Sequence, residues 1–151
     1  MKRKILIVED NVVLSQIQKD WLSRAGYDAV TAMNEPIARS LIRRMQFDLI
    51  LSDVRLPEGD GISLLEWLRK EKKDIPFIIT TEFVSVPDVV RTIKLGARDY
   101  LPKPVHREHL LELAEDVFHP VATVRKQERQ LFRRISPMIL KVEKFARLVA
   151  P

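Results

Sequence analysis

Apolar positions along the chain follow two alternating rhythms. Short continuous runs, "KILIVED" (4–10), "DAVTA" (28–32), "FDLILSD" (47–53), "PFIITT" (76–81) and "DYLPKP" (99–104), are separated by segments whose apolar residues recur every three or four positions. The first, third and fourth runs are apolar at consecutive positions, the pattern of strands covered on both faces of a parallel sheet. The spaced segments carry Leu14, Ile17, Trp21 and Ala25; Ile37/Ala38, Leu41 and Met45; Ile62, Leu65 and Leu68; Val86, Val90 and Ile93; and Leu110, Ala114 and Val117. That period predicts five helices, each with an apolar stripe for a core. Helix starts agree: Pro36 follows Asn34-Glu35, and Ser85 stands before "VPDVV". Gly26 and Gly96 fall where the first and fourth helices should stop.

Five βα repeats within residues 1–118 predict an α/β domain, a doubly wound five-stranded parallel sheet. Right-handed crossovers put all five strand carboxyl ends on one edge, where such sheets bind ligands.

Composition narrows the picture in two ways. The 151 residues include no cysteine, which excludes disulfide staples and thiolate metal sites and makes a reducing cytoplasm the expected compartment. The apolar run after Met1-Lys2-Arg3-Lys4 is too short for an export signal, and no membrane-spanning stretch is present. The net charge of +5 is unevenly placed: residues 1–118 carry −1 and residues 119–151 carry +6. The basic excess belongs to the tail and gives the first domain no nucleic-acid footprint.

Chemistry gathers at the ends of the runs. Asp53 ends the third, Glu9-Asp10 the first, Thr81 the fourth and Lys103 the fifth. Each has a plain reading alone: Asp53 as a turn residue, Glu9-Asp10 as a cap for the first helix, Thr81 as strand, Lys103 as a solvated cation. Together on one sheet edge they mean more. Three carboxylates held together repel one another, and a hard divalent cation with oxygen ligands, Mg²⁺, relieves them. A carboxylate nucleophile, Mg²⁺ and a lysine are the parts that phosphoryl transfer requires.

The stretches "ILIVEDN", "FDLILSDVRLPEGDG", "IPFIITT" and "GARDYLPKP" make residues 1–118 resemble the receiver domain of two-component response regulators over their whole length. The resemblance implies a flavodoxin-like strand order 2-1-3-4-5, with Asp53 accepting a phosphoryl group from a sensor histidine kinase. It implies Mg²⁺ held by Glu9, Asp10, Asp53 and the backbone carbonyl of Arg55, and Lys103 paired with the phosphoryl group. Lys103-Pro104 matches the family's Lys-Pro, often a cis peptide. Thr81 would turn to the new phosphoryl oxygens, and Tyr100 would rotate inward into the space it leaves. That change would remodel the face of the fourth helix, fifth strand and fifth helix, through which such domains form homodimers. Three departures stand out, one of them Val105 in place of the frequent Phe after Lys-Pro. Glu82 occupies the place of a small residue, adding negative charge near the site. Arg55 and Phe83 sit where the family tunes the access of water, and their bulk implies a long-lived phosphoryl-aspartate.

Beyond Phe118, Pro120 interrupts helical geometry, and Val121, Val124, Glu128, Leu131 and Ile135 keep a 3-4 spacing. A linker helix over 119–136 is expected, either as a short coiled coil or packed on its own domain. "ISPMILKVEKFARLVAP" resembles the opening of the central ATPase domain of sigma-54-dependent transcriptional activators, which assigns 137–151 to the first helix of a truncated output domain. No Gly-x-x-x-x-Gly-Lys occurs. The resemblance thus implies a regulatory fragment of a longer activator that binds DNA and sigma-54 polymerase through other parts. His106, His109 and His119 lack metal-ligand spacing and read as surface residues. A Mg²⁺-dependent phosphohydrolase is the competing enzyme class. Its members of haloacid dehalogenase type carry an acid two residues after the nucleophile, where this chain has Arg55. A stand-alone or phosphorylation-independent docking module is the other alternative.

Overall fold

The computed structural model describes residues 2–82 and 85–119; Phe83, most of the expected 119–136 linker and the 137–151 segment lie outside the described residues. Strands β1 (Lys4–Val8), β2 (Asp28–Ala32), β3 (Leu49–Asp53), β6 (Phe77–Thr81) and β7 (Asp99–Pro102) form one parallel sheet. Its order is β2-β1-β3-β6-β7. This is the expected 2-1-3-4-5 arrangement, with two short strands, β4 (Arg55–Leu56) and β5 (Gly59–Asp60), inserted in the count as a separate antiparallel hairpin. That hairpin was expected only as a turn.

Every residue of β3 and β6 is buried, because helices cover both sheet faces. Alternate strand residues serve the two layers. Leu6, Val8, Ile50 and Ile79 pack with α2 (Glu35–Arg44), α3 (Gly61–Lys70) and α4 (Val86–Lys94) on one side. Ile5, Ile7, Leu51 and Ile78 pack with α1 (Val12–Arg24) and α5 (Arg107–Phe118) on the other.

Caps fix where the helices begin. Asn11 accepts the Leu14 N–H at 3.1 Å, Asn34 the Ile37 N–H at 2.9 Å and Asp60 the Ser63 N–H at 2.6 Å. Ser85 caps α4 as expected. With Asn11 capping α1, Glu9 and Asp10 are released from that duty. Helix α5 ends at Phe118, ahead of Pro120.

Two predicted stripes lie mostly outside the core, although Trp21 of the α1 stripe is half-buried and packs against it. On α1 the buried residues are Ser15, Gln18 and Leu22, while Leu14, Ile17 and Ala25 are exposed. On α4 the buried residues are Val89 and Thr92, while Val90 and Ile93 are 43% and 46% exposed. The polar residues can be buried because two of them bond within the helix. Ser15 Oγ donates to the Val12 carbonyl at 3.0 Å and Thr92 Oγ1 to the Val89 carbonyl at 2.9 Å.

Candidate phosphoacceptor site

Glu9 and Asp10 follow β1, Asp53 closes β3, Thr81 closes β6 and Lys103 follows β7, so the five meet at the carboxyl edge of the sheet. Lys103 Nζ donates to Glu9 Oε1 at 2.7 Å and to Asp53 Oδ2 at 2.6 Å. Glu9 Oε2 accepts the Asn11 N–H at 3.2 Å, and Asp53 Oδ1 accepts the Arg55 N–H at 3.2 Å. Both carboxylates are thus aimed by backbone as well as by the lysine. Glu9 and Asp53 are buried, whereas Asp10 is exposed. Oxygens of Glu9, Asp10 and Asp53 lie within 4.8 Å of one another, a donor set of charge and spacing suited to a hard divalent ion. The Lys103-Pro104 peptide is cis, and the Lys103 N–H donates to the Thr81 carbonyl at 3.0 Å.

Burial pushes the Glu9 carboxyl above the usual range, against the opposing effect of its bond to Lys103. Burial works to lower Lys103, but its hydrogen bonds to Asp53 and Glu9 outweigh this and hold the ammonium above its ordinary value. The lysine is therefore a fixed positive charge between two buried acids.

Thr81 is buried at the sheet edge. Tyr100 is already turned inward, 1% exposed, in this structure, so the position expected of it after phosphorylation is the one it occupies here. Its hydroxyl is buried without a hydrogen-bond partner among the described residues, and burial, aided by the charges of Asp88 and Asp53, pushes it up to about 12. Because the folded value is raised above the ordinary 10.0, stability held below pH 10 is lost as pH climbs toward 12. Tyr100→Phe should remove that loss and, by deleting an unsatisfied buried hydroxyl, stabilise the fold by about 1 kcal/mol. Urea unfolding at pH 7 and pH 11 checks both; a clearly destabilised Phe variant at pH 7 would show that the hydroxyl has a partner.

Glu82 is exposed beside Lys103, at the rim of a groove of about 400 Å³ lined also by Leu14, Ile17, Trp21 and Val105. The apolar stripe of α1 therefore faces a cleft next to the acidic site. His106, His109 and His119 are exposed, as expected. Sequence reasoning missed Glu35, which is 6% exposed on α2. A glutamate in the first turn of a helix is common enough that nothing in the sequence marks it.

Residues 5–115 match the pattern of the response regulator receiver domain. The chain belongs to that family. Receiver domains are regulatory modules of two-component response regulators, and the fold and the acidic edge described above agree with that membership. The response regulator protein PilR of Pseudomonas aeruginosa is 31% identical over 99% of this chain and 35% of its own length. The transcriptional regulatory protein ZraR of Salmonella typhimurium is 39% identical over 76% of this chain and 26% of its own length. The chain thus spans about a third or less of these curated relatives. Among solved structures, a CheY-like receiver domain from Methanospirillum hungatei superposes with a TM-score of 0.74 at 29% identity, covering 86% of this chain and 99% of that one. The non-phosphorylated HemR receiver domain of Leptospira biflexa gives 0.74 at 34% identity, over 81% and 98%. No helix among the described residues is long and apolar enough to cross a membrane.

Proposed function

We propose that this domain is a phosphorylation-controlled switch in which Asp53 takes a phosphoryl group from a phosphohistidine of a sensor kinase. The observation that carries the reading is the double grip of Lys103 on Asp53 and Glu9, with Asp10 open to solvent beside them. An Asp53 oxygen forms the new O–P bond as the N–P bond to the kinase histidine breaks, and the imidazole nitrogen keeps the electron pair. Lys103 neutralises charge on the transferred oxygens from the position it already holds. Glu9, Asp10, Asp53 and the Arg55 carbonyl would hold Mg²⁺, which supplies further neutralisation of the phosphoryl oxygens. The added charge of nearly two units and three acceptor oxygens recruit the Thr81 hydroxyl, and Tyr100, in the next strand, is held inward. The exposed apolar stripe of α1 lies beside the site and offers a face to a kinase helix. Val90 and Ile93 on α4 offer a second apolar face, toward a second copy of this chain. In the longer protein implied by the tail's sequence, this change controls a sigma-54-dependent activator that binds DNA.

Adding MgCl₂ and beryllofluoride to the full chain tests the reading. Fluorine NMR should show a bound species that is absent in Asp53→Ala, and light scattering should show the mass of a dimer. Absence of the bound species would overturn Asp53 as acceptor. A bound species with unchanged mass would overturn the dimer switch alone.

A further inference from the structure

Glu35 opens α2, yet its carboxylate is turned onto the β4–β5 hairpin. Its Oε1 accepts the backbone N–H of Asp60 at 3.1 Å, and Oε2 pairs with Arg39, whose guanidinium lies over the Trp67 ring at 5.2 Å. The hairpin is fitted closely to this acid: a Cβ at Gly59 would come 2.5 Å from Glu35 Oε1 and 2.9 Å from its Cβ. A buried carboxylate is costly, and Asn34 already caps the helix, so the start of α2 does not call for it.

The alternation of bonds along the hairpin shows what the Asp60 contact does. Gly61 N–H donates to the Val54 carbonyl at 2.8 Å. The next pair, Arg55 opposite Asp60, is therefore the non-bonded kind, with the backbone groups of both residues pointing away from the hairpin. On one edge the outward Asp60 N–H meets Glu35; on the other the outward Arg55 N–H meets Asp53 Oδ1. In a strand a residue's carbonyl shares the side of its own N–H, so the Arg55 carbonyl faces the Asp53 side.

We propose that Glu35 is a positioning residue for the metal site: by gripping the outer edge of the hairpin, it holds the Arg55 carbonyl where it joins Glu9, Asp10 and Asp53. This rests on the Mg²⁺ reading given above. The acceptor oxygen performs the task, while the ion pair with Arg39 stabilises α2.

Mg²⁺ titration of the full chain by calorimetry, beside urea unfolding, separates the two parts. Glu35→Asp keeps the charge but withdraws the acceptor by one methylene, and should weaken Mg²⁺ binding about tenfold, as loss of an outer partner does at metal sites. Glu35→Gln keeps the acceptor and should bind close to wild type. Arg39→Met should lower stability while leaving Mg²⁺ affinity unchanged. Wild-type affinity in a folded Glu35→Asp overturns the proposal. Should that variant not fold, Gly59→Ala, which pushes the hairpin off an intact Glu35, must weaken Mg²⁺; unchanged affinity there overturns it equally. Mg²⁺ binding that survives in Asp53→Asn would instead sink the underlying metal reading.

Discussion

Lys103→Met is expected to cost about 3 kcal/mol of stability at neutral pH, the scale for removing one partner of a buried ion pair. Methionine fills much the same volume, so the loss is electrostatic. The variant leaves Glu9 and Asp53 facing each other near 3% and 7% exposure, with the cation that sat 2.7 and 2.6 Å from them gone. Two signatures distinguish this from a packing defect. Millimolar Mg²⁺ should restore more stability to the variant than to wild type, because the metal replaces the missing positive charge. Acid should also help. Burial already raises Glu9 above its ordinary 4.5, and a carboxyl raised in the folded state contributes stability at low pH that is lost as pH rises through the folded value. Without Lys103 that value climbs further, so the deficit should shrink as pH falls from 7 toward 5. Urea titrations at the two pH values, with and without Mg²⁺, provide the measurement. A deficit indifferent to both pH and Mg²⁺ contradicts the ion-pair account.

Legibility of the fold differed by element for physical reasons. Strands β1, β3 and β6 announce themselves because strands covered on both faces run apolar at consecutive positions, and Glu9-Asp10, Asp53 and Thr81, which topology then gathers, stand at their carboxyl ends. Helix faces were less legible. A 3-4 stripe fixes that a helix is amphipathic but not how the helix is rotated about its axis. On α1 and α4 the sheet receives Ser15 and Thr92, whose hydroxyls are satisfied by carbonyls of their own helix, and the apolar stripe is left for other partners. Glu35 was illegible for a different reason. Its partner is a backbone N–H 25 residues away, and backbone groups leave no trace in a sequence.

Gly61 illustrates the same point and yields the second large effect. In the sequence "LPEGDG" it reads as turn glycine, but among the described glycines only Gly26, Gly59 and Gly96 have positive φ. Gly61 is needed instead for close approach. A Cβ there would collide with the Asp53 carbonyl oxygen and stand 2.9 Å from Ser52 Oγ, which itself donates to that oxygen at 2.9 Å. Both obstacles belong to β3, a central strand paired on each side, so neither can yield without moving Asp53. Gly61→Ala should therefore cost about 3 kcal/mol, the upper range for overpacking, and weaken beryllofluoride binding at the same time. Gly26→Ala makes the contrast: its φ is +97° with nothing within 4 Å of the added Cβ, so strain alone should cost about 1 kcal/mol and leave binding intact. Should Gly61→Ala unfold like Gly26→Ala and bind beryllofluoride like wild type, the close seating of α3 against Asp53 would not be what fixes that carboxylate in place.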